Sequence, residues 1–233
     1  DGRPLADDWA VTTVPNLCIL RRRLGVRASG GAAERAPFAA LGLGFEGGAP
    51  HRLPPIPQAP AEARAAAERF GVYAALDVEA TEPRLREALE TARIVHLASH
   101  GRHRTPAPSF QAVYLSPDSG SDGVVEAWEL LDLDLDALAL VGLGACETGL
   151  GRFDASDNLR GLPAALFLAG AETLVGTLWP VESRASQLFF EAFYERIAAG
   201  AERRDAFAEA LRQVKASCPA YRDWGAFYLA GEW

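Results

Sequence analysis

Two stretches decide the fold: Arg93–Gly101, RIVHLASHG, and Ala137–Gly149, ALALVGLGACETG. Each is a short apolar run that ends on a side chain able to exchange a proton, His100 or Cys146, followed by a glycine-bearing loop. Apolar runs of this length, rich in Val, Ile, Leu and Ala, read as strands buried on both faces of a parallel sheet. In such sheets the functional groups collect beyond the carboxyl ends of the strands. If the two strands are neighbours, imidazole and thiol face one cleft.

The segments on either side agree with a parallel sheet. Phe38–Phe45 reads as a buried strand, Gly47–Pro60 as a Gly/Pro-rich loop, Ala61–Phe70 as a helix and Gly71–Val78 as a second strand. Thr81 before Glu82-Pro83 reads as the N-cap of a helix running to Ala92. Between Gln111 and Glu126, two extended segments flank Pro117–Gly123, whose Gly and Asp residues suit a chain reversal, so a hairpin is inserted there. Beyond the second stretch the pattern predicts a helix over Asn158–Ala169, a strand over Glu172–Leu178, helices over Ser183–Ala199 and Asp205–Ala216, and a closing strand over Trp224–Leu229. Strands alternating with helices imply an α/β fold with a mostly parallel sheet covered on both faces. At 233 residues, one domain accommodates all of it, with residues 1–35 as a peripheral segment and 36–233 as the core.

Composition narrows the function. Thirty-one acidic against 23 basic residues give a net charge of −8, no run of Lys or Arg tracks a surface that could neutralise phosphates, and the short Arg21–Arg23 run reads as a solvated turn, so nucleic acid is not expected as a direct partner. Cys18, Cys146 and Cys218 are far apart, without CxxC spacing and odd in number, which points to neither a disulfide framework nor a zinc site and fits a reducing compartment. No apolar run reaches the roughly 18 residues of a membrane span. No cofactor is called for, and a cytoplasmic location is expected. The chain opens on Asp1 rather than Met, which reads as a piece of a larger protein. Asp132-x-Asp134-x-Asp136 resembles the start of a calcium loop, but Ala137 stands at the required Gly and Leu143 at the Glu. Gly142-x-Gly144 after a strand fails as a dinucleotide fingerprint because Glu147 holds the third glycine position.

A cysteine attacks as its thiolate, and a neighbouring imidazole both favours that form and returns a proton to the leaving amine. The backbone N–H groups of Gly101 and Cys146 are the candidate oxyanion donors. Chain order discriminates further. In α/β-hydrolases and papain-like enzymes the histidine follows the nucleophile, whereas the last histidine here is His103. Thr148 also replaces the second glycine of a nucleophile elbow. Histidine before cysteine on consecutive core strands is the caspase-like plan. His96 alternates with Ala98 and is expected to pack or hydrogen-bond in the core, His103 is a second choice as base, and Cys18 and Cys218 read as small hydrophobes.

These residues, with Asn158-Leu159 and Ala169-Gly170-Ala171 leading to Thr177-Leu178-Trp179-Pro180-Val181, resemble the CHAT family of caspase-like peptidases. Val14-Pro15-Asn16-Leu17, Ala80-Thr81 and Trp224-Gly225-Ala226-Phe227 extend the likeness to nearly the whole chain. The resemblance implies a caspase-like three-layer α/β/α sandwich and a His100–Cys146 dyad that cleaves a partner protein. It also implies control by a sensor or helical-repeat domain, in bacterial defence or signalling. Gly144 departs from the family, where Ser more often precedes Ala-Cys, as does Asp157-Asn158, where Glu-Gly or similar is usual. By the same likeness Thr177–Ser183 would pair with the substrate backbone and Trp179 would wall a side-chain pocket. The carboxylates of Asp154, Asp157 and Glu182 would favour a basic residue before the scissile bond. Segments 102–109 and 147–156 are expected as movable walls, and basal activity as low. The competing classes are a catalytically silent scaffold and a thiol-dependent amidase or transferase.

Overall fold

A computed structural model describes residues 36–104, 106–144, 152–153 and 159–232, together with Pro4, Val11 and Thr12. The expectations for the early Val14–Leu17 segment, Arg21–Arg23, Cys18, the peripheral residues 1–35, Cys146, Asp154 and Asp157 lie outside them.

The elements follow in chain order as β1 (Ala39–Gly42), α1 (Gln58–Glu68), β2 (Ala75–Leu76), α2 (Glu82–Thr91), β3 (Ile94–Ala98), β4 (Gly101–Arg102), β5 (Ala112–Tyr114), β6 (Val124–Glu126), β7 (Leu140–Leu143), β8 (Arg152–Phe153), β9 (Leu159–Arg160), α3 (Leu162–Ala169), β10 (Thr173–Thr177), α4 (Ser183–Ala198), α5 (Arg203–Ser217), α6 (Tyr221–Trp224) and β11 (Phe227–Gly231). Six strands form the central sheet in the order β2-β1-β3-β7-β10-β11. Every pair is parallel except β10 with β11. β3 and β7 are direct neighbours with Ile94 opposite Leu140 and His96 opposite Gly142, so the two stretches that opened the sequence reading lie side by side.

Side-chain alternation sends Leu41, Val95, Leu97, Val141, Leu143 and Leu174 to one face, where Leu85 and Leu89 of α2 and Leu162 and Leu166 of α3 cover them. Ala40, Ala98 and Val175 go to the other face, against Ala63 and Ala66 of α1 and Phe189, Phe190 and Phe193 of α4. Each face is buried, which makes three layers and explains the uniformly apolar strands. The expected hairpin is present as β5 and β6, antiparallel, with β4 as a third strand beside them. Its turn is closed by Asp118, whose Oδ1 accepts the N–H groups of Gly120 at 2.7 Å and Ser121 at 2.9 Å.

Boundaries depart from expectation where distant residues act. The predicted loop 47–60 ends early, because α1 begins at Gln58 and places Pro60 in its first turn, where the missing N–H has no helical partner to lose. The predicted helix 158–169 begins at Leu162, after β9 pairs with β8. Gly161 breaks the chain there with φ 90°, and the Leu162 N–H is received by Gln111 Oε1 at 2.9 Å, a cap supplied from 51 residues away. Thr81 starts α2 as read, accepting the Leu85 N–H on its carbonyl at 3.0 Å, but its hydroxyl makes no cap bond. The second strand shortens to Ala75–Leu76, α5 begins at Arg203, and the closing strand moves to Phe227–Gly231 behind α6.

Candidate active site

The carboxyl ends of three adjacent parallel strands meet at one cleft. Ser99 and His100 follow β3, Gly144 follows β7 and Thr177 ends β10, and all four line it with Glu62 of α1 and Ser186 of α4. The Gly144 N–H donates to Leu97 O at 2.8 Å, so the pairing of β7 with β3 continues to the last described residue of that strand end. Cys146 stands two residues further along the chain, in the segment outside the described residues.

His100 is held on several sides. Its carbonyl accepts the Tyr114 N–H at 3.0 Å, and the preceding Ser99 hydroxyl donates to the Tyr114 carbonyl, so β5 anchors the backbone at this turn. The imidazole packs edge-on against buried Phe45, with ring centroids 4.7 Å apart. Nε2 lies 2.7 Å from the carbonyl oxygen of Pro54. A carbonyl only accepts, so Nε2 carries the hydrogen, and in the neutral ring Nδ1 keeps the lone pair free to take a proton. The loop bearing Pro54 is itself tied down, since the Ile56 N–H donates to Gly44 O at 2.8 Å and Gly44 N–H to Asp77 Oδ1 at 3.0 Å. Gly101 directly follows His100 and starts β4, opposite Val113.

Beneath the cleft lies a polar trio for which sequence reading supplied only one member. His96 is fully buried, with Nδ1 3.2 Å from the Tyr194 hydroxyl and Nε2 3.1 Å from Glu62 Oε1. This bears out the expectation of a hydrogen-bonded core histidine. Burial, reinforced by the charge of Glu62, pushes the Tyr194 hydroxyl well above the ordinary phenol range and keeps it a donor. The trio occupies space that two glycines leave open. A Cβ at Gly142 would lie 2.1 Å from Tyr194 Oη, and one at Gly144 2.2 Å from Glu62 Oε1. Glu62 looked like one polar position in an Ala-rich helix; the only sequence signal for it was a carboxylate on the face that α1 buries through Ala59, Ala63 and Ala66.

The other expected residues are placed elsewhere. Trp179 donates its indole N–H to Arg222 O at 2.7 Å and packs on Tyr221, and it is not among the residues lining the cleft. Glu182 is exposed at the start of α4 and is also absent from the lining. His103 neighbours the side chain of Gln111, away from the lining. Among the described residues no group of three or more His, Cys, Asp or Glu is arranged to hold a metal ion, and no helix is long and apolar enough to cross a membrane.

A mostly parallel six-stranded sheet with helices on both faces defines a caspase-like α/β fold. Solved structures agree on the architecture. Gingipain R, described as an Arg-specific cysteine proteinase, superposes with a TM-score of 0.63 at 8% identity, over 85% of this chain and 46% of that one. The separase of the Saccharomyces cerevisiae separase–securin complex gives 0.66 at 14% identity, over 97% of this chain and 14% of that one. The chain belongs to the CHAT domain family, whose model matches residues 1–232. Relatives include tetratricopeptide repeat protein 28 of Homo sapiens, 29% identical over 212 residues, and of Mus musculus, 30% identical over 212 residues. Each match covers 76% of this chain but only 8% and 9% of those proteins, so the chain spans less than a tenth of their length.

Proposed function

We propose that the chain is a cysteine endopeptidase in which Cys146 is the nucleophile and His100 its proton-transfer partner. One observation carries this reading: His100, its Nε2–H committed to Pro54, shares a cleft with Gly144, two residues ahead of Cys146. The Cys146 thiol passes its proton to His100 Nδ1 and the thiolate attacks the scissile carbonyl. Backbone N–H groups of Gly101 and Cys146 receive the oxyanion. His100 then protonates the leaving amine, and a water, deprotonated by the same ring, hydrolyses the thioester and restores the thiol.

The substrate is a partner protein, and a helical-repeat module governs cleavage in a defence or signalling setting. The tetratricopeptide repeats named in the relatives support that control, since such repeats stack helix pairs into partner-binding surfaces. Mass spectrometry of proteins cleaved by the parent protein, with Cys146→Ala and His100→Ala as controls, tests the reading. Cleavages lost in both variants are expected. Cleavages that persist unchanged in Cys146→Ala would make the domain a scaffold, and a non-protein substrate retained unreacted by that variant would make it an amidase or transferase.

A further inference from the structure

Among the residues lining the cleft beside His100, Glu62 is the one carboxylate. Its side chain is only 5% exposed, and among the described residues its hydrogen-bond partner is His96, at 3.1 Å from Oε1. A carboxylate offers about four acceptor sites, and a lone buried anion is costly unless it is paired and fully hydrogen-bonded. Gly144 makes room for this one, because any Cβ there would fall 2.2 Å from Oε1. The carboxylate is thus held by a fixed histidine, between the strand end that carries His100 and the one that leads to Cys146. Ile56 and Val181, both half-buried, line the same cleft. The cleft itself is narrow, about 40 Å³.

We infer that Glu62 is the specificity-determining residue of this cleft and selects a lysine or arginine side chain immediately before the scissile bond. This rests on the peptidase reading above. A single unbranched arm is the narrowest side chain that carries a cation, and the cleft must widen around it, since about 40 Å³ holds only a few water molecules. Its stem lies along Ile56 and Val181, and its head brings donors and opposite charge to a carboxylate in a water-poor site, where such pairs are strongest. An aspartate in the same position meets like charge, and a leucine brings no donor to the acceptor sites of Glu62 that His96 leaves open, so the cleft selects against both. Asp154, Asp157 and Glu182 are not needed for this preference.

The test is labelling of the parent protein, under the conditions in which it cleaves its partner, by peptidyl acyloxymethyl ketones that differ only in bearing Lys, Arg, Leu or Asp next to the reactive carbonyl, with the modified residue identified by mass spectrometry. The Lys and Arg probes are expected to label Cys146 about 10- to 100-fold faster than Leu, as a charged hydrogen bond allows, and Asp slowest of all. In Glu62→Gln, which keeps size and an acceptor for His96, the Lys and Arg rates should fall by a similar factor while the Leu rate stays within about twofold, as expected of a charge-specific role. The unchanged Leu rate also reports that the variant folds. Fastest labelling by Leu or Asp, or an equal loss with every probe in Glu62→Gln, would overturn the assignment while leaving the nucleophile standing. Failure of every probe to label Cys146 would sink the peptidase reading and this inference together.

Discussion

At the scale of single residues, two glycines on β7 matter for the side chains they admit. Gly142 lies opposite His96 and makes room for the Tyr194 hydroxyl, and Gly144 makes room for the Glu62 carboxylate. A dinucleotide fingerprint would have used similar glycines to approach a phosphate, whereas here they let a helix-borne carboxylate and phenol reach a buried histidine. The same contact accounts for Gly144 in place of the more usual Ser, since a Cβ has no space beside Glu62. Gly142→Ala is expected to drive Tyr194 off His96 and to destabilise the chain by about 1–3 kcal/mol through overpacking, read as a lower denaturant midpoint at unchanged m-value. An unaltered midpoint would mean that Tyr194 swings clear at no cost. His100 and Cys146 were singled out as candidates from strand ends and chain order. Glu62 was not, because an isolated Glu in an Ala-rich helix looks solvated until the helix face is known.

At the scale of elements, the antiparallel arm β4–β6 is what fixes His100. Tyr114 of β5 bonds to both Ser99 and His100, and the arm is closed at Gly123, which has φ 77° and a Cβ position 2.3 Å from Leu115 O. A substitution at this turn therefore acts at a distance. Gly123→Ala should cost about 2–4 kcal/mol, since it combines an unfavourable backbone region with a clash against the chain itself. It should also slow Cys146 labelling more than an equally destabilising change at Phe189, which packs at 4.0 Å on Phe227 at the far edge of the sheet. Comparing the two rates at matched stability would decide it, and equal rates would detach the arm from the site. Period-2 and helical patterns revealed the strands of the central sheet and the long helices that cover it, but not the short β4, β8, β9 and α6. They misplaced the starts of α1 and α3, where a proline enters a first turn and where Gln111 supplies a cap from another part of the chain.

At the scale of the whole molecule, two buried phenols tie stability to alkaline pH. Tyr194 is shielded between α4 and the sheet, and the Tyr228 hydroxyl on β11 is buried with no hydrogen-bond partner among the described residues. Burial raises both above the ordinary value near 10. Below that pH both groups are protonated whether the chain is folded or not. Above it the unfolded chain releases protons that the folded chain retains, so stability falls as pH rises. Denaturant unfolding between pH 8 and 11, a range chosen to bracket about pH 10, should show this decline. In Tyr228→Phe it should be shallower, with stability at neutral pH unchanged or up by about 1 kcal/mol because a buried unpaired hydroxyl is gone. A steeper decline in the variant would contradict the burial argument. The sequence by itself determined the layered α/β class, the inserted hairpin and the family, because these rest on local periodicity and on motifs read in order along the chain; that the two motif strands are neighbours came from the sheet order. Only the tertiary structure decided that Pro54 orients His100, that Glu62 rather than Glu182 or Trp179 lines the cleft, and that two glycines exist to admit His96's partners. Those facts depend on which faces of α1, α4 and β7 meet, and that is set by packing between segments distant in sequence.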